Sequence, residues 1–228
     1  MPGVVGTVST YDSPRRAGAS TDARVTRVLW LALAINLAMF GVETGSGLHV
    51  GSQSLLADAI DFFSDAANYA ITLAVLPLAL VWRVRAARFK GATMLLLGLF
   101  VAARSVWALA LGQAPEPLVM GAVGLLALAA NLAVALMLYA HRSDDLNMRS
   151  VWICSRNDAI GNLAVVLAAL GVFGTGSVWP DSLVAGLISG MAIWGGLSIL
   201  RQAGREARTA GPGIQEALHG RPADASRG

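Results

Sequence analysis

Long apolar segments recur along this chain and restrict what it can fold into. Each is about 20 residues long, which as an α-helix is enough to cross a hydrocarbon core of roughly 30 Å. Hydrophobic residues make up 55% of the sequence and charged residues only 14%, whereas soluble domains carry about one-quarter charged residues. Because strands of alternating polarity are absent, the sequence predicts an all-α polytopic membrane protein.

We predict six transmembrane helices in one bundle. The predicted spans cover residues 28–44, 55–82, 91–112, 118–139, 151–173 and 181–200. The membrane domain is therefore expected to comprise residues 24–200. The flanking segments, residues 1–23 and 201–228, are polar and too short to bury a core, so we expect two disordered tails and no cleavable signal peptide.

The basic residues predict the orientation, because Lys and Arg are enriched on the cytoplasmic side. Four of them lie between spans two and three: Arg83, Arg85, Arg88 and Lys90. Others precede span one, follow span six or lie between spans four and five, whereas the remaining three connections contain none. Both termini are thus predicted to be cytoplasmic, in a cell membrane that we expect to be a bacterial inner membrane. The net charge of +3 then needs no nucleic-acid partner.

Span two carries carboxylates at membrane depth, where each charge costs at least a few kcal/mol. At 100° per residue, its polar side chains fall within a sector of roughly 80°. They are Asp58, Asp61, Asp65, Asn68 and Thr72. Asp61 and Asp65 are one turn apart, so their carboxylates project from the same face and repel each other. This favours a bound cation or proton over a polar bridge to a neighbouring helix.

Span five repeats this spacing with Cys154 and Asp158, and Asn162 continues the same face. Arg156 lies about 200° around the helix from Cys154 and points away from that face. A lone cysteine in a membrane helix is more often a packing residue, but the pairing with Asp158 favours a ligand. Four groups from two helices can surround one divalent ion. The predicted metal ligands are Asp61, Asp65, Cys154 and Asp158.

Further polar residues are predicted to form a proton or ion path beside this site. They are Glu43, Asp58, Asn36, Asn68 and Asn162. For Glu43 and Asp58 a second interpretation stays open, in which they form a structural pair with Arg104 of span three. The two interpretations differ in whether a basic side chain neutralises the carboxylates.

Three segments resemble the cation diffusion facilitator family, whose members export divalent metals from the cytoplasm. They are SQSLLADAIDFFSDAANY in span two, CSRNDAIGN in span five and WPDSLVAGLISG at the start of span six. The resemblance covers residues 28–200 and implies that Asp61 with Asp65, and Cys154 with Asp158, are the two ligand pairs. We also expect a homodimer.

The chain differs from the family pattern in two respects. Cys154 stands where the family commonly has His or Asp. The sequence also resembles a short form of the family, without the cytoplasmic domain of many relatives and without a His-rich loop between spans four and five. Because thiolate is a soft ligand and carboxylates are hard ones, Zn²⁺ is the preferred ion, with Cd²⁺, Fe²⁺ or Co²⁺ as alternatives. Mg²⁺ and Ca²⁺ should be excluded, since they prefer oxygen ligands and higher coordination numbers.

The predicted activity is metal efflux by proton antiport, because the ligands must lose protons to bind metal. No enzymatic activity and no cofactor are expected. An intramembrane enzyme with Cys154 or Ser155 as nucleophile would lack a histidine at depth as general base. The remaining alternative is a proton-coupled carrier of a small organic cation, for which the carboxylates would be the counter-ions.

Overall fold

A computed structural model describes the backbone of residues 15–75, 80–140 and 148–209. It describes the side chains of residue 24 and of residues 26–74, 81–140 and 158–209. Six α-helices lie within these ranges: α1 Arg15–Val50, α2 Gln53–Ala70, α3 Leu80–Leu111, α4 Pro117–Ala140, α5 Met148–Thr175 and α6 Trp179–Thr209. A π-helical segment, Ile71–Val75, follows α2. The predicted all-α fold with six helices is confirmed.

Over the described residues, five helices are long and apolar enough to cross a membrane. Helix α2 differs in composition, because its 18 residues include three aspartates. More than half of its residues are buried inside the bundle. The other helices expose large apolar side chains such as Leu96, Trp107 and Phe173, as expected for surfaces that contact lipid. The first half of this acidic helix, residues 53–60, is thus buried among apolar neighbours, whereas its second half is partly exposed.

Most helices are longer than the predicted spans. Helix α1 covers Arg15–Val50, and α6 continues to Thr209, so residues 15–23 and 201–209 of the predicted tails are helical and not disordered. Hydropathy identifies only the part of a helix that lies in lipid, and good helix formers such as Ala, Arg and Glu extend it into water. Residues 1–14 and 210–228, which complete the two predicted tails, lie outside the described residues.

The boundary between the second and third helices was predicted wrongly. Span two was expected to reach residue 82, but α2 ends at Ala70 and α3 already begins at Leu80. Pro77 lies between them in the sequence, and proline has no N–H for a helical hydrogen bond. The cluster of basic residues at 83–90 therefore belongs to the first turns of α3 and not to a loop.

The helices pack in pairs around α2. Helix α3 makes its most extensive contact with α6, α1 with α2, and α4 with α5, while α2 also contacts α3, α5 and α6. The α3–α6 pair approaches most closely at two glycines. A Cβ atom on Gly196 would lie 2.8 Å from the Gly91 carbonyl oxygen, so only glycine permits this backbone contact. This contact fixes the position of α3 along the axis of α6. Lys90 is the residue directly before the contacting Gly91.

Candidate metal centre

The N-terminus of α2 is held by a carboxylate from another helix. Asp181, in the first turn of α6, is fully buried and accepts hydrogen bonds from three consecutive residues. The donors are Ser52 Oγ at 2.7 Å, Gln53 N–H at 2.7 Å, Ser54 Oγ at 2.7 Å and Ser54 N–H at 3.0 Å. The anion also lies at the positive end of the α2 dipole. Asp181 thereby sets the position of the acidic helix against α6.

Glu43 of α1 and Asp58 of α2 form a buried carboxylate pair. Their side chains are 0% and 1% exposed, and their charges act on each other. Among the described residues, no donor group of another side chain or of the backbone bonds to their four carboxylate oxygens. A hydrogen bond between the two exists only when one of them carries a proton. The pair therefore needs a proton or a cation, since unpaired buried charges are strongly unfavourable.

Asn36 of α1 and Asn162 of α5 bring further oxygens to the interior. Both side chains are buried. The Asn36 amide donates to the Ala32 carbonyl at 2.8 Å, and the Asn162 amide donates to the Asp158 carbonyl at 2.7 Å. In both residues the Oδ1 atom has no hydrogen-bond partner within the described parts of the chain. These two amides thus keep an acceptor available, as the predicted proton or ion path requires.

The proposed structural pair of Glu43 and Asp58 with Arg104 is not present. The Arg104 guanidinium lies over the Phe100 ring, with 5.9 Å between the Cζ atom and the ring centroid. The oxygens of Glu43 and Asp58 have no basic partner within the described parts of the chain. This second interpretation is therefore contradicted, because helical spacing gives the face of each residue but not the rotation of α3 relative to α1.

Helix α5 faces the acidic helix through a glycine. A Cβ atom on Gly161 would lie 3.6 Å from Asp58 Oδ1 and 3.9 Å from Asp61 Oδ2. The missing side chain therefore leaves room beside two carboxylates. Asp61 also borders a cavity of about 260 Å³, which is lined by residues of α5 and α6. They include Ile160, Gly161, Ala164, Ile188 and Met191. This cavity is half open, and its apolar lining includes Met191, which is 64% exposed, so the space next to Asp61 is reached from the outer surface of the bundle.

The carboxylates of α2 and α5 are gathered but do not form a closed site. The charge of Asp61 is acted on by Asp58, Asp158 and Asp65, and that of Asp158 by Asp65 and Asp58. Within the described side chains, however, no group of three or more acidic, cysteine or histidine residues is close enough to hold a metal ion. The structure thus brings Asp61, Asp65 and Asp158 into one electrostatic cluster without a complete coordination shell.

Cys154 of the predicted site, and Arg156 near it on α5, lie outside the described side chains. The backbone of α5 includes Cys154, one turn before Asp158, but the side chains of Cys154 and Arg156 are not among the described residues. The proposed thiolate ligand therefore stays a prediction. The helical backbone keeps the four-residue spacing on which that prediction depends.

Lys90 is a buried basic residue that the sequence interpretation assigned to a loop. Its side chain is only 7% exposed, and its Nζ atom donates to Asn68 Oδ1 at 2.5 Å. Its charge also acts on Asp65, which lies one turn before Asn68 on α2. Asn68, predicted as part of the path, is therefore a contact between α2 and α3.

The sequence contains evidence for the roles of both Lys90 and Asp181, although it did not lead to a prediction. Lys90 directly precedes the apolar run from Gly91, so a prediction of a longer α3 would have placed Lys90 inside the bundle. Asp181 was expected only as the start of span six. The run Ser52-Gln53-Ser54 at the start of the acidic helix has the composition of a helix N-terminus. That Asp181 accepts its hydrogen bonds depends on the tertiary structure and cannot be predicted from local sequence.

A bundle of apolar helices around carboxylates that outnumber the buried lysine of the described residues defines an integral membrane protein with a cation-attracting interior. A family model described as the cation efflux transmembrane domain matches residues 82–206. The chain belongs to this cation efflux family, the cation diffusion facilitators, as the three sequence segments indicated.

Two relatives extend the comparison. They are the metal cation efflux system protein CzcD of Cupriavidus metallidurans and the cation efflux system protein CzcD of an Alcaligenes species. Each is 26% identical over 174 residues, which is 71% of this chain and 55% of the relative. The chain thus spans about half the length of the curated relatives it matches. The family match begins at residue 82, after α2, so the roles of Asp61 and Asp65 depend on the geometry of the cluster.

Proposed function

We propose that this protein exports a divalent metal cation across the membrane in exchange for protons, with Zn²⁺ as the preferred ion. The observation that carries the proposal is the acidic cluster in which Asp58 and Asp61 lie beside Gly161 of α5, while the charge of Asp158 on the same helix acts on Asp61. Within the described residues, Lys90 is the one basic side chain that is buried. The carboxylates of the cluster therefore carry more negative charge than Lys90 can neutralise. The excess negative charge favours a mobile cation or protons.

The ion would be held by Asp61 and Asp65 from α2 and by Asp158 and Cys154 from α5. Each helix supplies two groups one turn apart, which suits the tetrahedral coordination of Zn²⁺. Because the described carboxylates do not form a closed shell, α2 and α5 would approach each other when the ion binds. A carrier requires a site that closes around the ion and opens again without it. A permanently closed site would not release the ion.

Proton exchange follows from the chemistry of the ligands. Carboxylate and thiolate groups bind metal only when deprotonated, so metal loading releases protons and protonation releases metal. The Glu43–Asp58 pair, which has no hydrogen-bond donor among the described residues, is suited to take up a proton beside the site. Asn36 and Asn162 would continue this path, whereas Asn68 is engaged by Lys90. In the proposed topology both termini are cytoplasmic, the membrane is a bacterial inner membrane and the protein is a homodimer.

The first prediction concerns transport itself. Purified protein in proteoliposomes should transport Zn²⁺ in a saturable manner, and an opposing proton gradient should increase the rate. In weakly buffered detergent solution, Zn²⁺ binding should acidify the medium. Fluorescent metal and pH indicators measure both effects. Saturable metal binding without proton release would contradict antiport, and transport of an organic cation without metal would favour the alternative carrier.

The second prediction concerns Cys154. Replacing it with serine keeps the size but removes the soft anion, so Cd²⁺ transport should fall roughly tenfold more than Co²⁺ transport. Cys154→Asp should shift the preference toward Mn²⁺. Competition between pairs of metals in proteoliposomes measures the profile. An unchanged metal profile in Cys154→Ser would make the cysteine a packing residue and leave the site with carboxylates and water.

A further inference from the structure

Lys90 of α3 is buried and reaches toward the acidic helix α2. Its side chain is 7% exposed although lysine is almost never buried without a partner. Neighbouring basic residues of the same helix, such as Arg83 and Arg85, are exposed. This difference in burial indicates that the ammonium group of Lys90 has a partner on a neighbouring helix, although the partner residue, Asn68, is itself exposed.

The partner is the acidic helix. Lys90 Nζ donates to Asn68 Oδ1 at 2.5 Å, and Asn68 is three residues after Asp65, on the same face of α2. The ammonium charge also acts on Asp65. The hydrogen bond therefore holds a positive charge beside a carboxylate of the proposed metal site.

The position of Lys90 is fixed from the opposite side. The next residue, Gly91, packs directly on the backbone of α6, where an added Cβ atom would lie 3.0 Å from the Gly196 carbonyl oxygen. The α3 backbone therefore cannot move toward α6 at this height. The lysine side chain extends in the other direction, to α2.

We propose that Lys90 is a tethered cation that competes with the transported metal for Asp65 and thereby sets a moderate metal affinity and fast release. This inference rests on the proposed function of the carboxylate cluster. When the site is empty, the ammonium group neutralises Asp65. A divalent ion that binds Asp65 has to displace that charge, since two cations beside one carboxylate repel each other. As the ion leaves, the ammonium group returns to Asp65 and neutralises its charge. This compensation lowers the free-energy cost of release.

A merely structural lysine has the opposite consequence. If Lys90 only linked α3 to α2, its removal would loosen the site and weaken metal binding. If it competes with the metal, its removal strengthens binding. The sign of the change in affinity therefore separates the two roles.

The third prediction is that Lys90→Met binds Zn²⁺ about tenfold more tightly than the wild type. Isothermal titration of the purified full chain with Zn²⁺ alone measures this change. In proteoliposomes the same variant should have a lower maximal rate and a lower half-saturating Zn²⁺ concentration, because release becomes slower. Lys90→Arg, which keeps the charge, should restore most of the wild-type affinity.

Two further variants complete the experiment. Lys90→Gln removes the charge but keeps a donor for Asn68, so it tests the proposal even if the methionine variant does not fold. Arg83→Met removes the same charge from an exposed position of the same helix and should leave the affinity unchanged. Equal or weaker Zn²⁺ binding in Lys90→Gln would overturn the tethered-cation role. Absence of Zn²⁺ binding in the wild type would instead overturn the proposed function.

Discussion

Replacing Asp61, Asp65 or Asp158 with asparagine should reduce metal transport by roughly 100-fold or more. Changes to groups that only support a metal ligand already cost 10–100-fold in affinity or activity, and each of these carboxylates is a proposed ligand itself. Asparagine keeps the shape of the side chain but removes the anion that attracts the metal and exchanges protons. The measurement is Zn²⁺ uptake by proteoliposomes at matched protein content.

The control for these variants is Glu116→Gln. Glu116 is an exposed carboxylate in the connection between α3 and α4, so its replacement changes the net charge by the same amount without touching the cluster. It should transport at the wild-type rate. All variants should elute normally on size exclusion, since Asp61, Asp65 and Asp158 are only partly buried and an amide of the same shape leaves no unpaired buried ion. Wild-type rates in any two of the three aspartate variants would contradict a site shared by α2 and α5.

The sequence predicted what depends on periodicity and hydropathy. Six helices and a polar face on α2 follow from patterns of 100° per residue, and the structure contains both. The four-residue spacing of Asp61 with Asp65 likewise places them on one face without any knowledge of tertiary contacts. For these features local geometry was sufficient.

Features that depend on how two helices meet were not predictable in this way. Gly161 leaves space beside Asp58 and Asp61, but the chain contains 25 glycines, and no local pattern marks this one as the neighbour of a carboxylate. The orientation of Arg104 away from Glu43 depends on the rotation of α3 in the bundle. Lys90 was assigned to a loop because hydropathy detects the apolar part of a helix and not its end.

Asp181 is the clearest case of a tertiary role that the sequence did not reveal, and it has a large expected effect on stability. Its carboxylate accepts four hydrogen bonds from residues at the N-terminus of α2. Hydrogen bonds to a charged group contribute about 1.5–3 kcal/mol each, and buried donors that lose their partner are costly. Loss of the anion also leaves the positive end of the α2 dipole uncompensated.

The last prediction is that Asp181→Ala lowers the free energy of unfolding by about 3–5 kcal/mol. Asp181→Asn should be intermediate, because its amide oxygen replaces one acceptor whereas its NH₂ group faces donors. Thermal unfolding in detergent measures the order of the variants. The control is Ser198→Ala on the same helix, which removes one exposed hydrogen bond, from Ser198 Oγ to the Trp194 carbonyl at 2.8 Å, and should change stability by about 0.5 kcal/mol or less. Asp181 lies outside the metal cluster, so Asp181→Asn protein that remains folded should still bind Zn²⁺. A melting temperature of Asp181→Ala equal to that of the control would show that α2 is held by its other contacts.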